Sequence, residues 1–129
     1  MKLQELTPML YTEDLQGSVE FYVARLGFQC KAMNEDWGWA CVQRDKGSVM
    51  FALPNPHLPF DKPAFTGSLY FNVDDVDAMW RQMQDKVRFC YPIENFEYGM
   101  REFAIYDNNG YLLQFGQDIS ESRTDDSVS

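Results

Sequence analysis

What most restricts the fold of this chain is an internal repeat. Thr7 to Val19 lies over Ser68 to Trp80 at an offset of 61 (68 − 7), so that Leu10-Tyr11-Thr12-Glu13-Asp14-Leu15 stands over Phe71-Asn72-Val73-Asp74-Asp75-Val76. Farther on, Gly47-Ser48-Val49-Met50-Phe51 stands over Gly110-Tyr111-Leu112-Leu113-Gln114 at an offset of 63 (110 − 47). Two matches in the same order predict one supersecondary unit built twice.

Each copy reads the same way. Glu5 to Thr12 is apolar enough for a strand, with Pro8 marking an entry or edge position. Asp14 is placed to cap a helix, and Val19, Tyr22, Val23 and Leu26 give its apolar stripe. Gly27 ends that helix. Phe28 to Asn34, Trp37 to Arg44 and Ser48 to Leu53 follow as strands. Pro54, Pro56, Pro59 and Pro63 exclude regular structure over residues 54–67. Beyond this linker come a strand over Ser68 to Val73 and a helix capped by Asp74 or Asp75. Its stripe is Val76, Met79, Trp80 and Met83. Val87 to Ile93 is the next strand. The last two alternate around Asn109-Gly110, a hairpin signal because both residues tolerate positive φ. The expected organisation is a first module over 1–53, a linker over 54–67 and a second module over 68–117. Residues 118–129 read as a disordered acidic tail.

A chain of 129 residues supports one core-forming domain, and 45% apolar residues exclude wholesale disorder. Cys30, Cys41 and Cys90 lack metal-ligand spacing and read as small hydrophobes in a reducing cytoplasm. A net charge of −9 opposes nucleic acid and anionic membranes as partners and favours cationic ligands. No apolar run is long enough for a membrane span, and the first residues lack a secretory signal.

The repeat, the segment Asp14-Leu15 … Ser18-Val19-Glu20-Phe21-Tyr22 … Leu26-Gly27-Phe28, and Asp107-Asn108-Asn109-Gly110 before the last strand are together similar to the vicinal oxygen chelate superfamily. That group includes glyoxalase I, extradiol dioxygenases, fosfomycin resistance proteins and bleomycin resistance proteins. The resemblance covers residues 5–117. It implies an α+β fold of two tandem βαβββ modules with pseudo-twofold symmetry, whose curved mixed sheets form clefts.

In the superfamily's metal enzymes the first and last strands of each module donate ligands. Carried over, those positions fall at Thr7, Phe51, Ser68 and Gln114. Two hydroxyls, one amide and a phenyl ring are poor donors for a dication. The lone histidine, His57, lies in the linker. The resemblance is therefore nearest to the metal-free, bleomycin-resistance-like branch, through Tyr98-Gly99-Met100-Arg101-Glu102-Phe103 and Leu113-Gln114-Phe115-Gly116-Gln117. It implies a homodimer that sequesters an aromatic, cationic small molecule without cofactor, metal or catalytic residue.

The ligand-binding residues expected on this basis are Trp37, Trp39, Phe51, Ser68, Tyr98, Arg101 and Gln114. Trp37 and Trp39, two apart on a strand, share a face; they either stack on a ligand or fill the sheet's interior. Arg101 either anchors an anion or is surface charge beside Glu102. Gln114, polar between Leu113 and Phe115, needs a partner, and Ser68 can supply one. The alternative function is a glyoxalase- or dioxygenase-type lyase or oxidoreductase, with Glu94, Tyr98 or Glu102 as acid/base candidates.

Overall fold

The computed structural model describes residues 1–56 and 60–120. His57 and the acidic stretch from Glu121 onward lie outside the described residues. The chain forms β1 (Met9–Tyr11), α1 (Leu15–Leu26), β2 (Gln29–Asn34), β3 (Trp39–Arg44) and β4 (Gly47–Ala52). It continues as β5 (Leu69–Asn72), α2 (Val76–Met83), β6 (Arg88–Phe96), β7 (Met100–Tyr106) and β8 (Leu112–Asp118). This is the α+β fold of two βαβββ modules. The strands make two four-stranded sheets of matching order, β1-β4-β3-β2 and β5-β8-β7-β6. In each, the first strand pairs parallel with the last and the remaining pairs are antiparallel.

The helices start and stop where the sequence asks them to. The Asp14 carboxylate accepts from Gly17 N at 2.9 Å, one of the donors a helix start leaves open. Gly27 closes α1 in the left-handed region, at φ 76°. Of the two cap candidates for α2, Asp75 is the one used, accepting from Ala78 N at 3.1 Å. Tyr22 and Leu26 of α1 pack beneath the first sheet, whereas Val23 is on the outer edge of the stripe and exposed. Trp80 of α2 has its ring centroid 4.7 Å from that of Phe89 and 5.3 Å from that of Phe103. Its role is packing.

Four boundaries depart from the sequence reading. First, β1 is only three residues long, because Pro8 cannot donate to a ladder. Second, β3 begins at Trp39 rather than Trp37, because Gly38 follows a turn at φ 67° and breaks the strand. Glycine adopts that backbone without the clash a side chain would bring. Third, β6 runs on to Phe96, absorbing Pro92 at a sheet edge within the register shift between Tyr91 and Glu94. Fourth, Asp118 ends β8, and Ile119 N donates to Gly99 O at 3.0 Å, so regular pairing reaches past the expected end of the module.

By proximity the residues fall into two units. One takes in Met1–Phe65 with Asp107–Tyr111, the other Thr66–Tyr106 and the chain from Leu112. The β7–β8 turn thus belongs to the first unit. Asp107 organises it, its Oδ1 accepting from Asn109 N and Tyr111 N at 2.9 Å each. Tyr22 donates to Asp107 Oδ2 at 2.8 Å, Tyr111 to the Tyr11 carbonyl at 2.6 Å, and Thr12 to Asn109 Oδ1 at 2.8 Å. Burial pushes the Asp107 carboxyl up from its ordinary value, and the hydrogen bonds it accepts work in the other direction.

The two sheets also correct the alignment of the closing strands. Leu10 pairs with Phe51 and Phe71 with Phe115, so Phe51 corresponds to Phe115 and the offset there is 64 (115 − 51). The extra residue is in the turn. Arg44 pairs with Gly47 across a two-residue loop, whereas Asp107 and Tyr111 enclose three.

Candidate functional site

Strand alternation assigns the faces of the second sheet. Phe71, Phe103 and Phe115 stack toward α2. Their neighbours therefore point the other way: Tyr70, Glu102, Ala104, Gln114 and Gly116. On that second face polar groups are joined in one network. Ser68 Oγ donates to Gln114 Oε1 at 2.5 Å, and Gln114 Nε2 donates to the Tyr91 hydroxyl at 2.9 Å. The Tyr91 hydroxyl donates in turn to Glu102. Tyr70 donates to the other carboxylate oxygen at 2.7 Å. Glu102 is only 1% exposed. Its charge is held by phenols and an amide rather than by water.

Gly116 makes this possible. It is the register partner of Glu102, and a Cβ there would come within 1.9 Å of the Tyr70 hydroxyl. The bare backbone lets the Tyr70 ring lie across β8 and reach the carboxylate. Aromatic rings continue outward from the network. Tyr91 meets Phe96 edge-on at 5.7 Å, and Phe96 stacks with Tyr98 at 5.5 Å. Tyr91 is pushed up to about 12 by partial burial; the Gln114 bond opposes this and the Glu102 bond adds to it. Tyr70 and Tyr98 are raised as well, first by desolvation and then by hydrogen bonding to Glu102. All three phenols are neutral donors at physiological pH.

Of the expected site residues, the structure gathers Ser68, Gln114 and Tyr98 around Glu102. Phe51 is elsewhere. It is fully buried and its ring meets that of Tyr22 of α1 at 5.0 Å. The one-residue slip in alignment turns it to the wrong face. Met50 and Ala52 hold the positions facing away from α1. Arg101 also points toward its helix, pairing with Asp77 of α2 at 3.0 Å and with Asn95 at 2.9 Å. Trp37 and Trp39 are not two apart on one strand, because β3 begins at Trp39. Trp37 is in a turn and 80% exposed, while the Trp39 indole donates to Met50 Sδ at 3.1 Å. Glu94 is the exposed register partner of Glu102 on β6. The sequence marks Glu102 only as an acid/base candidate. The one signal for a larger role is a carboxylate at the alternate position of a strand otherwise buried on both sides.

The donors do not fit a divalent ion. Ser68 and Gln114 already satisfy each other, and both Glu102 oxygens accept from phenols. One carboxylate among neutral groups is too little charge to replace a dication's water. Among the described residues, no three His, Cys, Asp or Glu side chains form a metal-holding group.

Several solved structures share the fold. The bleomycin-binding protein of Streptomyces verticillus, solved with copper(II)-bleomycin, is 24% identical with TM-score 0.69 over 89% of this chain and 96% of its own. The bleomycin resistance determinant encoded on transposon Tn5 is 24% identical with TM-score 0.69, covering 90% and 98%. A lactoylglutathione lyase from Agrobacterium tumefaciens is 16% identical with TM-score 0.67, covering 88% and 92%. A binding protein, a resistance determinant and a lyase thus share one scaffold, and fold alone does not choose between them. No curated protein sequence matches the chain. The family model described as Glyoxalase/Bleomycin resistance protein/Dioxygenase superfamily matches residues 4–115, and the chain belongs to that superfamily.

Proposed function

We propose that the chain is a metal-independent small-molecule-binding protein of bleomycin-resistance type, holding an aromatic, cationic ligand against the polar face of its second module. The observation that carries this reading is the Glu102 network, in which a buried carboxylate is surrounded by neutral donors and open aromatic rings. The net charge of −9 draws cations toward it. We place the protein in the cytoplasm, as a homodimer. Free cysteines at Cys30, Cys41 and Cys90 suit the first assignment. The second is supported by exposed outer strands such as β2, which a partner chain can cover.

The test is thermal shift of the purified chain with bleomycin and with planar aromatic cations, in the presence of a chelator. Stabilisation that persists with chelator and is lost in Gln114→Leu supports the reading. No stabilisation, or stabilisation only after a divalent metal is added, overturns it. Sedimentation at micromolar concentration tests the dimer.

A further inference from the structure

We propose that the polar face of the second module recognises a quaternary alkylammonium head group, with the rings of Tyr70, Tyr91 and Tyr98 as its walls and Glu102 as the charge beneath them. The proposal rests on the ligand-binding reading above and names the chemical class of the group bound.

Three observations lead there. The first is uncompensated charge. The partners of Glu102 are phenols and an amide, none of them positive. Its neighbour Arg101 is turned to the opposite face and paired with Asp77. A nearly buried carboxylate without a counter-cation attracts one from outside. The second is the aromatic surround. Tyr98 is 63% exposed and Tyr70 is 39% exposed, and both present ring surface to solvent beside the carboxylate. A phenol that donates its proton toward a carboxylate gains electron density. Its ring face then binds a cation more strongly than that of a free phenol.

The third observation selects among cations. A primary ammonium or a guanidinium must donate hydrogen bonds, and it needs acceptors with room for them. Here Glu102 is 1% exposed behind the phenols that donate to it, and Gln114 Oε1 accepts from Ser68 at 2.5 Å, so an incoming cation meets ring faces rather than the carboxylate's lone pairs. A trimethylammonium group donates nothing. It needs ring faces and a nearby negative charge, and this face provides both.

The experiment is calorimetry on the full chain with three probes: choline, ethanolamine, and the carbon isostere in which a tert-butyl group replaces the trimethylammonium of choline. Choline is expected to bind roughly tenfold more tightly than either of the others, the scale of one desolvated cation–π contact. The preference should vanish in Glu102→Gln, and choline affinity should fall in Tyr98→Leu. Tyr98→Leu alters an exposed turn and carries the test if Glu102→Gln fails to fold. Equal binding of choline and the isostere overturns the proposal. So does tighter binding of ethanolamine, or an intact preference in folded Glu102→Gln. If planar aromatic cations bind and choline does not, this proposal falls and the ligand-binding reading stands. If nothing binds, both fall.

Discussion

Trp39 occupies in the first module the place that Glu102 occupies in the second. Trp39 pairs with Ala52 as Glu102 pairs with Gly116, and the row beside them is Met9, Met50 and Cys41 in one sheet and Tyr70, Gln114 and Ala104 in the other. Even the diagonal contact is kept, since Trp39 donates to Met50 and Gln114 reaches toward Glu102. On the sides facing the helices both sheets are apolar, with Leu10, Ala40 and Phe51 set against Phe71, Phe103 and Phe115. On the other sides one presents thioether, thiol and indole, and the other a carboxylate wired to phenols. The comparison separates two demands on one backbone. Packing against a helix fixes one face, and the opposite face is free to acquire chemistry.

The largest effect is expected of Trp39→Glu, which would put a carboxylate on the first sheet without phenols to receive it. Loss of the indole together with an unpaired charge is expected to cost about 3 kcal/mol, read by chemical denaturation. A near-neutral result would mean that the first face tolerates charge as well as the second. Next is Gly116→Ala, which gives the second sheet the residue type of Ala52. The new Cβ must push Tyr70 off Glu102. The expected cost is about 1–3 kcal/mol, with loss of ligand binding. Unchanged stability and binding would show that Tyr70 has another route to the carboxylate.

A third substitution compares the two hairpin turns. Asp107 has a raised carboxyl in the fold, so its contribution to stability is full below the ordinary carboxylate range and is lost as pH rises through the folded value. Asn cannot titrate. Asp107→Asn should therefore gain on the parent as pH is raised from about 3 to about 7, in paired thermal melts. A stability difference constant with pH would refute this. The smallest effect belongs to Arg101→Gln. Its partner Asp77 is open to solvent, and a screened surface pair contributes too little to move a denaturation midpoint visibly. Ligand affinity should not change either, because Arg101 is on the helix side. A clear drop in affinity would put Arg101 back in the site.

Helix stripes, caps and strand periods are legible in the sequence because each is written within a few neighbouring residues. Asp14, Gly27 and the Val76–Met83 stripe do what their types dictate. The faces of the strands are less legible. One added residue in the 107–111 turn moves the closing alignment by one, and in a strand one residue is the difference between core and site. The sequence misplaces Phe51 for that reason. Glu102 does not stand out as the centre of the site because its partners come from β5, β6 and β8. Tyr70, Tyr91 and Gln114 are up to 32 residues away in the chain, and no local pattern joins them to it.

The turn that closes the second hairpin also sets a schedule for synthesis. Tyr22 waits for Asp107, and Tyr11 for Tyr111, so these bonds of the first unit span 85 and 100 residues. A ribosome releases the N-terminal half early, yet Tyr22 has no acceptor in Asp107 until that late turn emerges. A nascent chain stopped in the linker would hold α1 and its sheet without this latch. The repeat looks like two modules that could be made one after the other, but the first is finished last.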